Sequence, residues 1–311
     1  MSAARPRIAI TRYDRTLPLI LSEAEGASQF QFEEGGTMDI TQALLEGDFD
    51  AGEMSLSAFV KARESGMPLR ALPIFTNRKF FQQYIYVARG SDIRSLSDLA
   101  GRRVGVYMYW MTSSVWHRQF LHAETGLEAS DLEWTALMDD RMDSMRIPSG
   151  VRFESLGQSR PEGLADLLLS GRVDCLLGAA TTPEILDARS HFERPFEKLD
   201  HAQREYFERT GIFPIVHLVV CRESFLESDD SAARLSATFE NAKQAAYQKL
   251  QDETYTALPF VRSYLEDSEE IFGTDPYRDG IEENRHVLDA FLEASHSQGL
   301  TQKRLSVDEL F

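Results

Sequence analysis

Val104-Gly105-Val106-Tyr107-Met108-Tyr109-Trp110-Met111-Thr112-Ser113-Ser114-Val115-Trp116 is the stretch that says most about what this chain does. It reads as a short buried strand, an aromatic turn, and a helix opened by hydroxyl residues. Thr112, Ser113 and Ser114 are good N-cap types, because their side-chain oxygens can satisfy the free amides of a first helical turn. Those amides and the helix dipole favour an anion, by about 0.3–1 kcal/mol when exposed and more when desolvated. With Tyr109 and Trp110 beside it, the turn suits a flat ligand that carries a carboxylate. The plainer reading is a capped helix with Tyr107, Tyr109 and Trp110 as core or rim.

The same strand–turn–helix unit recurs along the chain. Residues 7–11 read as a first strand, followed by a polar turn at 12–14 that carries Arg12 and Asp14. Helical patterns follow at 16–25 and 39–45. The run Phe49-Asp50-Ala51-Gly52-Glu53-Met54-Ser55-Leu56-Ser57 is a strand passing into a helix through a cap-rich turn, and that helix continues to residue 65. Residues 69–75, 83–88 and 103–107 are rich in β-formers. A strand at 173–178 empties into Thr181 and Thr182, and 212–220 is strand-like with His217 in its middle. Further helices are expected at 161–170, 231–250 and 281–299, and 139–150 is polar and irregular. Short strands alternating with helices predict an α/β protein with largely parallel sheets.

At 311 residues the chain is long enough for two lobes, since single cores stop growing at roughly 250–300 residues. A formal net charge of −17 leaves no basic footprint for nucleic acid or for an anionic membrane surface. It does not exclude a small anion, whose site depends on local donors. No run approaches the ~20 apolar residues of a transmembrane helix, and the N-terminus has no signal-peptide h-region, so a cytoplasmic protein is expected. The two cysteines, Cys175 and Cys221, lie in apolar runs and form no disulfide framework.

Searches for nucleotide loops, a G-x-S-x-G elbow, C-x-x-C and H-E-x-x-H find none, and the seven histidines are scattered. The remaining polar groups sit at the carboxyl ends of strands, where α/β sheets bind ligands. Four turns (12–14, 53–57, 109–113, 181–182) and His217 are the candidates. Each serine or threonine also fits a helix cap, and a lone strand histidine also fits a core position.

A series of pieces then makes the chain familiar: Phe49-Asp50-x-x-Glu53-x-Ser55-x-Ser57, Asp98-Leu99-x-Gly101-x-x-Val104-Gly105-Val106, Tyr109-x-Met111-Thr112-x-x-x-Trp116 and Gly171-x-x-Asp174. Thr210-Gly211-Ile212-Phe213-Pro214-Ile215-x-His217, Gly280-x-x-x-Asn284-Arg285 and Gln298-Gly299-Leu300 before Leu310-Phe311 complete it. The series resembles the 4,5-dihydroxyphthalate decarboxylase family, and the likeness spans nearly the whole chain. It departs in two places. Phe81-Gln82 stand where the family pattern has an Arg-His pair after Arg78-Lys79-Phe80, and Asp275-Pro276-Tyr277-Arg278-Asp279-Gly280 replaces a Trp-Pro-Tyr-Gly.

The resemblance implies a two-lobed, type II periplasmic-binding-protein-like α/β fold with the ligand cleft between the lobes. Residues 1–102 plus 211–311 would form the first lobe and 103–210 the second. It also implies decarboxylation of a hydroxylated aromatic acid without an organic cofactor, divalent metal being left open. The partner is a small aromatic carboxylate, and a homo-oligomer is left open as well. Such chemistry needs an acid near the ring carbon, an acceptor for the phenolic proton, and donors for the carboxylate. His217 is assigned as the acid, since only histidine titrates near neutral pH unshifted. Glu53 or Asp14 takes the phenolic proton. Thr112, Ser113 and Arg78 hold the carboxylate, Tyr109 and Trp110 flank the ring, and Arg12, Ser55, Ser57, Thr181 and Thr182 line the site. The competing expectation is a non-catalytic solute-binding protein for a small aromatic or sulfonate-like anion.

Overall fold

A computed structural model of the chain describes residues 5–24, 28–140, 142, 144–157, 163–227 and 230–311. Among them the strands, in chain order, are β1 (Arg7–Ile10), β2 (Gln31–Glu34), β3 (Ala51–Ser55), β4 (Leu69–Ala71), β5 (Asn77–Arg78) and β6 (Ile85–Ala88). They continue with β7 (Arg103–Val106), β8 (Glu133–Ala136), β9 (Arg152–Ser155), β10 (Cys175–Leu177), β11 (Phe192–Glu193) and β12 (Ile215–Arg222). The chain forms two units. The first is Met1–Arg78, Ile215–Arg285 and Val307–Phe311; the second is Lys79–Pro214 and His286–Ser306.

The first unit is built on a sheet of order β2-β1-β3-β12-β4, with β5 also paired to β12. β1 runs parallel to β2 and β3, as the strand–helix alternation predicts, while β12 is antiparallel to β3, β4 and β5. Gly52 is required where β3 passes β1. A Cβ there would lie 2.8 Å from the Ala9 carbonyl and close on Ile40 and Leu44 of the helix Thr37–Glu46. β3 passes straight into the helix Leu56–Glu64, where the Ser55 hydroxyl accepts from the Ala58 amide at 3.4 Å. The core gathers Ile8, Ile10, Phe30, Phe32 and Val219, closed by Leu235, Phe239 and Ala242 of the helix Ser231–Leu250. Those last three follow helical spacing, and each large side chain buried contributes about 1.5–3 kcal/mol.

The second unit has a sheet of order β11-β6-β10-β7-β8-β9. β10, β7, β8 and β9 run parallel, and β6 is antiparallel to β10 and β11. The helix Thr112–Thr125 follows β7 and closes at Gly126, which adopts a left-handed φ of 75°. Met111 is its N-cap residue and makes no side-chain cap bond, so Thr112, Ser113 and Ser114 lie inside the first turn, buried, and do not cap it. The Ser114 hydroxyl instead donates back to the Met108 carbonyl at 2.8 Å.

The unit boundaries differ from those expected at 102/103 and 210/211. β6 pairs through Val87 with Cys175 of β10, which draws residues 79–102 into the second unit. Residues 286–306 join it too: Phe291 packs on Trp116 at 5.3 Å, and the Gln298 side chain joins Arg118 at 2.7 Å and the Val115 carbonyl at 3.0 Å. The strand expected over 69–75 is regular only as β4, because Pro73 has no amide to pair; Leu72 and Ile74 still bond Val219 on either side. Residue 25 of the helix expected at 16–25 and residues 161–162 of that expected at 161–170 lie outside the described residues; the helices found there are Leu17–Ala24 and Leu164–Leu169.

Candidate functional site

In the first unit, sheet register brings together residues far apart in sequence. His217 of β12 lies opposite Ser55 on β3 and opposite Asn77 on β5. Glu53 is two positions before Ser55, so side-chain alternation sets Glu53 on the same sheet face as His217. Glu53 Oε1 is 2.6 Å from His217 Nδ1. An ionised carboxylate only accepts, so Nδ1–H donates to it and Nε2 is the reactive nitrogen. Glu53 is fully buried, the His217 side chain is 15% exposed, and Nε2 makes no hydrogen bond among the described residues.

The loop after β1 completes this constellation. The Tyr13 hydroxyl donates to Glu53 Oε1 at 2.7 Å and lies 3.2 Å from His217 Nδ1. Asn77 Nδ2 donates to the Tyr13 oxygen at 3.0 Å, and the Thr11 amide reaches Glu53 Oε2 at 3.4 Å. The Arg15 guanidinium covers the Tyr13 ring at 4.5 Å and the Tyr277 ring at 3.9 Å. Burial works to raise the Glu53 pKa, but the bond and charge of His217, with the Tyr13 and Thr11 donors, hold it below the usual carboxylate range. Burial, with the negative charge of Glu53, pushes the Tyr13 phenol far up, so Tyr13 is neutral and a donor.

The other residues singled out in this unit go elsewhere. Asp14 turns to the Arg15 amide and guanidinium and is half exposed, so it is not part of the His217 cluster. Arg12 pairs at the surface with Glu34. Ser55 caps its helix, and Ser57 is buried one residue inside it. Arg78 is buried, bonded to the Arg278 carbonyl at 2.8 Å and to Asn284, and burial pulls its pKa down to about 10. Its guanidinium braces the 275–284 segment instead of standing open to a substrate carboxylate. Behind it, Lys243 bridges Asp275 at 2.8 Å and Asp279 at 3.1 Å; Asp279 accepts from the Phe75 amide at 2.8 Å, fixing the approach to Asn77.

In the second unit, Tyr109 and Trp110 are enclosed. Tyr109 meets Trp110, Trp134 and Phe153 edge-on at 4.8–5.5 Å, and the buried Arg118 guanidinium lies over its ring at 4.0 Å. Arg118 also donates to the Tyr109 carbonyl at 2.8 Å. These rings form a core box around an arginine. Thr112 and Ser113 are buried beside them. Thr181 is exposed, its hydroxyl 3.5 Å from that of Tyr86, which in turn accepts from Arg194 at 3.2 Å; Thr182 precedes the short helix Pro183–Asp187.

His217 and Glu53 are therefore brought together, and Tyr13 and Asn77 join them. Tyr13 lies inside the turn 12–14, between the two charged residues chosen from it, and its position at the end of a parallel strand is the available signal. Asn77 carries none, because its place depends on pairing with β12, 140 residues away. Among the described residues no group of three or more His, Cys, Asp or Glu side chains could hold a metal ion, and no helix is long and apolar enough to cross a membrane.

Comparison with known proteins assigns the chain. Residues 25–210 match the family model described as the periplasmic substrate-binding protein of a phosphonate ABC transporter. The periplasmic aliphatic sulphonate binding protein of Escherichia coli superposes with a TM-score of 0.62 over 98% of this chain and 91% of that one; at 16% identity this shows the fold alone. A 4,5-dihydroxyphthalate decarboxylase of Pseudomonas putida is 32% identical over 179 residues, 55% of this chain and 69% of the relative. One of Comamonas testosteroni is 33% identical over 324 aligned residues, covering 100% of this chain and 97% of the relative. On that likeness, carried over its whole length, the chain belongs to the 4,5-dihydroxyphthalate decarboxylase family, built on the periplasmic substrate-binding-protein fold.

Proposed function

We propose that this protein decarboxylates a hydroxylated aromatic carboxylic acid, with 4,5-dihydroxyphthalate the first candidate, and that His217 donates the proton. Within a family whose relatives are decarboxylases, one observation carries the reading: a histidine anchored through Nδ1 on a buried carboxylate, with Nε2 unbonded among the described residues. In 4,5-dihydroxyphthalate each hydroxyl is para to a carboxylate. Its oxygen pushes electrons into the ring, and the carbon bearing the carboxylate takes the Nε2 proton. The carbon–carbon bond electrons then return to the ring as carbon dioxide leaves, and the imidazole regains a proton from solvent. The product from 4,5-dihydroxyphthalate is 3,4-dihydroxybenzoate. The hydroxyl supplies the electrons, so this chemistry calls on no organic cofactor. Glu53 orients His217 and stabilises its charged form. Both carboxylate oxygens already accept hydrogen bonds, which makes Glu53 a poor acceptor for a phenolic proton.

A second reading, a binding protein for a small aromatic or sulfonate-like anion, is favoured by the periplasmic family model and by the fold. Incubation with a panel of hydroxylated phthalates and benzoates, with and without divalent metal, separates the two. Carbon dioxide release supports the enzyme. Tight binding without release across the panel supports the binder.

A further inference from the structure

We infer that Tyr13, aimed by Asn77, is a positioning residue that sets the acidity of His217 by sharing the single carboxylate oxygen on which His217 rests. The inference rests on His217 being the proton donor. Glu53 Oε1 takes two donors at once, Nδ1–H of His217 at 2.6 Å and the Tyr13 hydroxyl at 2.7 Å. A second strong donor draws off part of the negative charge that would otherwise stabilise the imidazolium. Asn77 decides which way the Tyr13 hydroxyl points. Its amide donates to the phenolic oxygen at 3.0 Å, occupying that oxygen as an acceptor and leaving the hydroxyl hydrogen to Glu53.

Among the described residues, the titratable and charged groups packed against His217 are Glu53 from β3 and Tyr13, with Arg15 behind the Tyr13 ring; β5 contributes the uncharged Asn77. Arg15 is held at the Thr76 carbonyl at 2.8 Å with its guanidinium over the Tyr13 ring at 4.5 Å, and makes no hydrogen bond to the imidazole among the described residues. A carbon atom is a weak proton acceptor, and an imidazolium clamped too firmly by a buried carboxylate transfers its proton slowly. Tyr13 keeps that clamp moderate. The high pKa that burial and Glu53 give the phenol keeps Tyr13 in the donating form throughout the neutral range.

The test is the titration of the His217 ring followed by NMR in the full-length protein and in its Tyr13→Phe variant, each also made with Glu53→Gln. Tyr13→Phe raises the His217 midpoint by about one pH unit, as loss of one hydrogen bond to a charged group implies. With Glu53→Gln the substitution leaves it unmoved, because there is no charge left to share. An unchanged or lowered midpoint in Tyr13→Phe overturns the inference, as does an equal rise in both backgrounds, which would mark a merely structural effect. The readout needs no substrate. If His217 proves not to be the donor, turnover shows it while the titration still reports on Tyr13; if the titration fails, the assignment of the donor stands untouched.

Discussion

Replacing Lys243 with methionine tests how the approach to the site is held. Lys243 is buried to 5% exposure and makes three carboxylate contacts, to Glu240 and Asp275 at 2.8 Å and to Asp279 at 3.1 Å, with the Tyr277 carbonyl at 3.0 Å. The contacts do not count equally. The Glu240 side chain is 44% exposed, and such a pair contributes about 0–1 kcal/mol. Asp275 and Asp279 are mostly buried, and Asp279 is tied to the Phe75 amide, so neither can turn to water. Losing the cation leaves them with only the charge of Arg78 to offset theirs, a loss of about 3–5 kcal/mol for a buried pair broken on one side. Lys243 is raised above its usual range: burial lowers it, and the surrounding carboxylates more than offset this. Its contribution is therefore complete below the unfolded pKa of lysine and is lost only as pH rises through the higher folded value, so neutral pH shows all of it. The assay is urea unfolding at neutral pH of wild type, Lys243→Met and Glu240→Gln. The account expects the lysine variant to lose several kcal/mol with an unchanged m-value and the glutamate variant to lose under about 1 kcal/mol. A Lys243→Met loss as small as that of Glu240→Gln would refute the reasoning, because the buried carboxylates would then not depend on the lysine.

Two other perturbations follow from how His117 and Gly52 are packed. His117 is fully buried with one ring nitrogen 2.8 Å from the Gly178 carbonyl, and burial pushes its pKa from 6.5 down to about 4. The folded state thus binds the proton later than the unfolded one as pH falls, and stability drops across that window by up to about 3 kcal/mol; His117→Asn, followed by urea midpoints against pH, flattens this slope, and an unchanged slope would exclude His117 as its source. Gly52→Ala forces a methyl against the Ala9 carbonyl and costs about 1–3 kcal/mol in thermal or urea unfolding, whereas a Gly52→Ala variant as stable as wild type would mean that β1 and β3 separate freely.

What can be read from the sequence is what short-range pattern controls. β1, β3, β7 and β12 follow from apolar runs because both of their faces are buried, and the helix Ser231–Leu250 from its apolar spacing because it buries one. β9 has no buried residue and so carries no burial pattern to detect, whereas the helix Val261–Phe272 has its apolar residues on one face but buries only Val261 of them. The two-residue β5 exists only because β12 pairs with it. The site divides along the same line. His217 and Glu53 stand out as polar groups on apolar strands. Tyr13 and Asn77 take their meaning from strand pairing. Tyr109 and Trp110 read as an open ligand wall and are core instead, because nothing local reveals that Arg118, one helix turn and more away, fills the space over the Tyr109 ring. Arg78 likewise looks free in the sequence, and the 275–284 segment occupies it.

The central claim is that His217 delivers the proton that replaces the carboxylate. The direct measurement is the rate of carbon dioxide release from 4,5-dihydroxyphthalate by wild type and by folded His217→Asn, with substrate binding measured in parallel. The account predicts a loss of about 10²–10⁴-fold in kcat, the usual contribution of a positioned general acid, with binding nearly unchanged. Release by His217→Asn at a rate close to that of wild type would contradict it.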